Sequence, residues 1–235
     1  MSAVEVTRWD APGPYAVVFS TRTGGVSEGA YASLNLGLLS GDERELVEEN
    51  RRRLYEAAGA HPERVSWPRQ VHGATVVRGG GRGAEADAIW TDIPREPVMV
   101  VTADCLPVAL VRLGGTPAVA LAHVGWRGLL AGVVHATVVA LGSRHVAAAV
   151  GPGIGPCCYE VSEDVSGPVR AAFGPGFSTD GRLDLPGAVE QALRNAGCVR
   201  VDRVDECTSC NPERYFSHRR DGGRTGRQGA IAYVT

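Results

Sequence analysis

Ala118–Val150, AVALAHVGWRGLLAGVVHATVVALGSRHVAAAV, is the stretch that decides the fold. Ala118–Val124 is apolar except for His123 and reads as a buried strand. Leu129–Leu141 carries Leu130, Val133, Val134, Thr137, Val138 and Leu141 at i, i+3/i+4 spacing, which predicts a helix. Val146–Val150 is a further strand, opening into the glycine-rich turn Gly151-Pro-Gly-Ile-Gly-Pro156. Strand, helix and strand make a β-α-β unit, so at least part of the sheet is expected to be parallel. Just upstream, Val98–Val101 is a buried strand that runs out at Thr102-Ala-Asp-Cys105, and Pro107–Val111 continues as apolar chain.

Further out, Ala16–Ser20 reads as a strand, Thr23–Gly29 as a turn-rich loop and Glu43–Ala58 as a helix with Leu46, Val47, Leu54 and Ala57 on one face. Val71–Arg78 is expected as a strand and Gly79–Gly83 as a loop. Ser162, followed by Glu163 and Asp164, is an expected N-cap. A second helix is expected to run from Asp184 as N-cap and Pro186 at its first position to Gly197 at C′. Gly229–Val234 reads as a last strand. The class is α/β or α+β with a mixed sheet.

A length of 235 residues with 44% hydrophobic content predicts a single domain, 1–235, with a sizeable core. The net charge of −2 is spread without a basic block, so nucleic acid and anionic membrane surfaces are not expected partners. All 24 basic residues are arginine. Schiff-base chemistry and P-loop phosphate binding both need lysine and are excluded. Met1–Asp10 has no apolar core of signal-peptide length, and no apolar run approaches the ~18 residues of a membrane span. Six cysteines are too few for a disulfide scaffold, so reduced thiols in the cytoplasm are expected.

Chemistry-bearing residues gather at strand ends. His123 closes one strand ahead of Gly125-Trp-Arg-Gly128, Cys105 follows another beside Asp104, and His72 lies in Gln70-Val-His-Gly73 at the start of a third. Two imidazoles and a thiolate suit zinc, with a fourth position left for water or substrate. The gaps of 33 and 18 residues match no short metal motif. From spacing alone the three read more readily as hydrogen-bonded histidines and a small buried thiol than as ligands. Cys207-x-x-Cys210 reads as half of another zinc site, a redox pair or a loop with two reduced thiols; Cys157, Cys158 and Cys198 lie elsewhere in the chain.

Thr21-Arg-Thr-Gly-Gly-Val-Ser27, Ser33-Leu-Asn-Leu-Gly37, Glu49-Asn-Arg51, Gln70-Val-His-Gly73, Ala86-Asp-Ala88, Thr102-Ala-Asp-Cys-Leu-Pro107 and His123-Val-Gly-Trp-Arg-Gly128 stand in order along the chain. Gly151-Pro-Gly-Ile-Gly-Pro-Cys-Cys-Tyr-Glu-Val161, Cys207-Thr-Ser-Cys210, Phe216-Ser-His-Arg-Arg-Asp221 and Gly226-Arg-Gln228 complete the series. Over nearly its whole length the sequence resembles the multicopper polyphenol oxidase, or laccase-domain, family, later described as a purine nucleoside phosphorylase family. The resemblance implies an α/β layered sandwich with mixed β-sheets flanked by helices. It also implies a zinc site of His72, Cys105 and His123. Phosphorolysis of adenosine, inosine and methylthioadenosine, together with adenosine deamination, is the implied activity, and purine nucleosides and phosphate are the implied partners.

On that reading Cys105, Asp104, His218 and Arg127 are the catalytic candidates. Asp87 and Glu160 are further proton sources. Arg22, Arg51, Arg127 and Arg219 would bind phosphate, Trp126 and Tyr159 would stack on a purine, and Asn35 and Gln70 join the substrate-binding set. Each arginine also reads as a structural salt-bridge partner, and each aromatic as core. A laccase needs about ten histidines for its copper ions. This chain has six, and its internal methionine, Met99, lies six residues from Cys105. Copper-dependent polyphenol oxidation is therefore a lesser alternative, with copper able to replace zinc in vitro. A cysteine hydrolase acting on amides such as cell-wall precursors through Cys105, and a nucleoside or metal sensor, are the others.

Overall fold

A computed structural model describes residues 3–143 and 145–235. The first two residues of the N-terminal stretch discussed above, and Arg144 beside His145, lie outside the described residues. In chain order the elements are β1 (Val6–Trp9), β2 (Tyr15–Ser20), α1 (Arg44–Ala58), β3 (Trp67–Arg69), β4 (Val76–Arg78), β5 (Arg82–Glu85), β6 (Ala88–Thr91), β7 (Val98–Thr102), β8 (Leu106–Arg112) and β9 (Val119–Val124). There follow α2 (Trp126–Leu130), α3 (Val133–Ala140), β10 (Val146–Val150), α4 (Glu163–Phe173), β11 (Ser178–Thr179), β12 (Arg182–Leu183), α5 (Leu185–Asn195), β13 (Cys198–Arg203) and β14 (Gln228–Val234).

Two sheets carry the molecule. One has the order β1-β2-β14-β7 and is antiparallel throughout. The other has the order β13-β10-β8-β9-β6-β4 and is mixed, with parallel pairs at both edges. β8, β9 and β10 are apolar at nearly every position because both faces of their sheet are covered. Val119 and Leu121 of β9, Ala109 and Val111 of β8 and Ala147 and Ala149 of β10 meet Val17, Phe19, Val98, Val100, Ala230 and Ala232 of the first sheet. The alternate residues Ala120, Ala122, Val108, Leu110, Val146 and Ala148 face Val133, Val134 and Val138 of α3 and Leu185, Val189 and Leu193 of α5. On the far side of the first sheet, Val18, Met99 and Ile231 pack on Leu54, Tyr55 and Ala58 of α1. The layers therefore run helix, sheet, sheet, helices, the expected α/β sandwich with mixed sheets.

Four local expectations differ, the first being the loop expected at Gly79–Gly83, which gives way at Arg82 to β5, paired with β3. The helix expected at Leu129–Leu141 is two helices, because Gly132 takes φ +89° and interrupts the hydrogen-bond ladder between α2 and α3. The strand expected at Val71–Arg78 begins only at Val76, since the Asp87 carboxylate gathers the N–H groups of Val71, His72 and Gly73 into a turn. The β-α-β unit is present but not as neighbours: β9 and β10 are each antiparallel to β8, which lies between them, so they share a direction without pairing. The direct parallel partner of β10 is β13. Among the described residues no helix is long and apolar enough to cross a membrane.

Candidate metal centre

Residues 103–105 cross from one sheet to the other, leaving β7 and entering β8. The β8/β9 register sets Pro107 opposite His123, which brings Cys105 to the end of β9. β6 lies on the other side of β9, and the His123 N–H donates to the Asp87 carbonyl at 2.7 Å. Asp87 is fully buried. Its Oδ1 lies 2.8 Å from His123 Nδ1, and its two oxygens accept the backbone N–H groups of Val71 at 3.2 Å, His72 at 2.9 Å and Gly73 at 2.6 Å. A single carboxylate thus orients one histidine ring and holds the backbone of the other, at the left-handed φ of +61° seen for His72.

The donor atoms of His72, Cys105 and His123 all lie within 4.8 Å of one another. Cys105 Sγ is 3.9 Å from His72 Nε2, and the two imidazoles meet edge to face with centroids 4.8 Å apart. Gly125 makes this approach possible: a Cβ there would stand 2.9 Å from Cys105 Sγ and 3.3 Å from His72 Cδ2. His123 is buried, Cys105 half-buried and His72 exposed, so the group has a closed floor and an open rim.

Burial raises the Asp87 carboxyl, but hydrogen bonds from His123, Gly73 and His72 outweigh it and hold the pKa below the usual range. Asp87 is therefore an acceptor only, and it holds the His123 Nδ1 proton toward itself, so Nε2 is the nitrogen turned toward a ligand, which would displace its proton. Burial also opposes the Cys105 thiolate, yet the charges and hydrogen bonds of His123 and His72 bring its pKa down to about 6. His123, opposed by burial, is pushed up to about 9 by Cys105 and Asp87. A ready thiolate, an imidazole with a fixed tautomer and a second imidazole form a donor set that fits zinc. Among the described residues, the groups able to hold a metal are this one and a cluster of four cysteines; neither is the histidine-rich cluster of multicopper chemistry. Met99 is buried against α1 in another core and offers no axial ligand.

Around the centre, Asp104 takes φ +82°. Its Oδ1 accepts from the Thr208 hydroxyl at 2.7 Å and its Oδ2 from the Arg219 N–H at 2.6 Å. The Arg219 guanidinium donates to the Glu160 carbonyl and lies 5.2 Å above the Tyr159 ring. Burial, with the charges of Cys105 and Asp104, pushes Tyr159 up to about 12, while Arg219 and Arg127 act in the opposite direction. Arg127 is exposed and stacks on Trp126 at 4.4 Å. His218 is exposed, with its ring against Gly223.

Arg22, Asn35 and Gln70 are engaged within the fold. Arg22 donates to the carbonyls of Ala32 and Pro212 and covers the Phe216 ring. Asn35 Oδ1 accepts from Gly37 and Arg227, and its amide donates to Ser40 and Asp42. Gln70 exchanges two hydrogen bonds with the backbone of Val101. Arg51 is placed differently from the expectation. It is buried in α1, donates to the Leu36 carbonyl and lines a separate cleft of about 580 Å³ with Tyr55, Trp67 and Arg82. That cleft includes none of the three donors. Helix α1 faces the outer side of the first sheet, which carries Arg51 away from the inter-sheet turn.

Arg227 was not singled out from the sequence. It is half-buried, its guanidinium donates to the Thr225 and Gly226 carbonyls, and burial lowers its pKa while the charges of Cys105 and Asp104 act to raise it. The orienting role of Asp87 was also missed, since the sequence offered it only as a proton source. Both residues stand in matched motifs, Gly226-Arg-Gln228 and Ala86-Asp-Ala88, which was the available signal.

Residues 16–235 match the family described as multi-copper polyphenol oxidoreductase laccase. A relative from Escherichia coli K12, named purine nucleoside phosphorylase YfiH, is 40% identical over 249 residues, covering 100% of both chains. Another, named purine nucleoside phosphorylase YlmD, from Geobacillus stearothermophilus, is 36% identical over 92% of this chain and 88% of its own. The crystal structure of YlmD from Geobacillus stearothermophilus superimposes with a TM-score of 0.89 at 33% identity, covering 100% of this chain and 97% of that one. Protein NMB0706 of Neisseria meningitidis gives 0.86 at 34% identity and 99% coverage of each. With fold, motifs and length in agreement, the chain belongs to the multi-copper polyphenol oxidoreductase laccase family.

Proposed function

We propose that this chain is a single-domain, cytoplasmic, zinc-dependent purine nucleoside phosphorylase acting on adenosine, inosine and methylthioadenosine, with adenosine deamination as a second activity. The observation that carries the reading is the convergence of His72, Cys105 and His123 on one point, closed below and open to solvent above. The names of the relatives support the substrate class.

His72, Cys105 and His123 would hold the metal, and Asp87 keeps the proton on His123 Nδ1. Bound zinc would supply Lewis-acid polarisation of phosphate or a water of lowered pKa. Arg127 and Arg219, whose planar guanidinium forks match pairs of phosphate oxygens, bind the phosphate dianion. Tyr159 keeps its proton at neutral pH and offers a hydrogen-bond donor beside Arg219. Trp126 supplies an aromatic face next to Arg127. A departing purine needs a proton. Asp104 already accepts on both oxygens and acts as a positioning residue for the loop bearing Arg219. His218, on that same loop and exposed, is the proton donor in this reading.

A cysteine hydrolase is the second reading, favoured by the hydrogen-bonded Asp87–His123 pair beside Cys105. One base suffices for a thiol nucleophile, so the second imidazole, 3.9 Å from the sulfur, favours ligation. The test is incubation of zinc-loaded protein with adenosine and phosphate. Adenine with ribose 1-phosphate, or inosine with ammonia, is expected; absence of both sinks the proposal. Alkylation of Cys105 by iodoacetamide in metal-loaded protein would support the hydrolase instead.

A further inference from the structure

We infer that the chain carries a second metal centre, a tetrathiolate zinc site built by Cys157, Cys158, Cys207 and Cys210. The four sulfurs lie within 4.8 Å of one another, and Cys210 Sγ stands 3.4 Å from Cys157 Sγ and 3.3 Å from Cys158 Sγ. Zinc–sulfur bonds of about 2.3 Å in a tetrahedron put sulfur pairs roughly 3.8 Å apart. The two separations at Cys210 are a few tenths of an ångström shorter than that and the remaining sulfurs lie within 4.8 Å, so small rotations of the side chains would close the site.

Two segments far apart in sequence meet here. Cys157 and Cys158 follow the glycine-rich turn after β10, and Cys207-x-x-Cys210 lies between β13 and β14. A parallel bridge between Gly153 and Cys207, with the Thr208 N–H on the Gly153 carbonyl at 3.0 Å, aligns them. Gly155 leaves room: a Cβ there would lie 3.3 Å from Cys157 Sγ and 3.4 Å from Cys207 Cβ. Its N–H donates to Cys207 Sγ at 3.2 Å. A backbone N–H donor on the first sulfur of a C-x-x-C turn orients it and is a contact that a metal-bound thiolate accepts well. A tetrathiolate zinc centre is dianionic, and the Arg220 guanidinium donates to the Thr208 and Ser209 carbonyls of the same turn.

In a disulfide each sulfur has a single partner, whereas Cys210 Sγ approaches Cys157 and Cys158 equally closely, a shared approach that one divalent d10 ion bound to all four sulfurs accounts for. Binding exchanges the thiol protons, released to solvent, for four zinc–sulfur bonds. Four protein ligands leave no open position, so the site is structural. It would clamp the loop bearing Tyr159 and Glu160 to the segment whose Thr208 anchors Asp104, and so fix one wall of the His72–Cys105–His123 centre. It shares no ligand with that centre, which makes the two separable.

The experiment is elemental analysis of the reduced, zinc-grown protein and its Cys105→Ala variant, followed by cobalt replacement. About two zinc ions per chain are expected in the parent and about one in Cys105→Ala. Cobalt in Cys105→Ala should give the intense sulfur-to-metal charge-transfer and tetrahedral bands of four thiolates. A Cys157→Ser/Cys210→Ser variant should lose about one zinc and retain the other. Because that double variant risks misfolding, Cys105→Ala, which keeps all four cysteines, carries the decision. A metal-free Cys105→Ala protein, or a disulfide within the cluster found by mass spectrometry of protein handled without reductant, overturns the inference.

Discussion

Asp87 holds more of the candidate site together than any of the three donors. Its carboxylate fixes the His123 tautomer and the turn that presents His72, while its carbonyl receives the His123 N–H. Asp87→Asn keeps the size but offers one acceptor oxygen where two serve now. Zinc affinity at the His72–Cys105–His123 centre should fall about 10- to 100-fold, the usual cost of losing a partner that orients a metal-bound histidine. Competition against a zinc-binding dye in a background lacking the four-cysteine cluster would read this, and unchanged affinity would remove Asp87 from the role assigned to it. The donors themselves were legible as residue types at strand ends. The link through Asp87 was not, because it joins positions 15 and 36 residues apart through a buried contact.

Among the elements, α5 shows the closest agreement between sequence signal and structure. Asp184 is its N-cap and its side chain accepts the Gly187 N–H at 2.9 Å; Pro186 sits in the first turn and Gly197, at φ +96°, follows the last. Asp184→Ala should lower stability by about 1 kcal/mol in urea unfolding, as loss of an N-cap does. A change within error would mean that burial of Leu185, Val189 and Leu193 alone sets the end of this helix. The apolar spacing through Leu129–Leu141 was equally periodic, yet the chain breaks at Gly132. Periodicity reports which side chains face the core, and a glycine within the run leaves the backbone free to turn while keeping that face. At Val71–Arg78 a buried carboxylate overrode strand-forming residues for the same reason: local preference is weaker than satisfying backbone N–H groups in a protein interior.

For the whole molecule, stability rests on the apolar layer between the two sheets. Leu121, fully buried in β9 at that layer, should cost about 2–5 kcal/mol when truncated to alanine. Since β9 also carries His123, zinc binding should weaken alongside, checked by paired unfolding and metal titrations. Acid stability follows from the carboxylates. Arg52 and Arg53 hold Glu49 down to about 2, and Arg194 and Arg203 lower Glu190. At Asp221 burial opposes ionisation, but hydrogen bonds from Arg220 and Thr225 outweigh it. A carboxyl lowered by folding contributes stability at every pH above its unfolded value and loses it as pH falls through the folded one. The denaturation midpoint should therefore hold steady above about pH 5 and drop between about pH 4 and 2. A midpoint unchanged over that acid range would show that these pairs contribute nothing.

Sequence by itself determined the α/β class, the strands β2, β7, β9, β10 and β14 and the ends of α5, since apolar periodicity and capping residues are local properties, while the set of three donors came through the resemblance its motifs carry. Only the tertiary structure decided which strands are neighbours, that the run from β7 into β8 changes sheets at Cys105, that Arg51 belongs to a separate cleft, and that four cysteines from two distant turns share one point. Each of these depends on contacts between segments tens of residues apart, where the pairing of whole faces, and not any local preference, selects the arrangement.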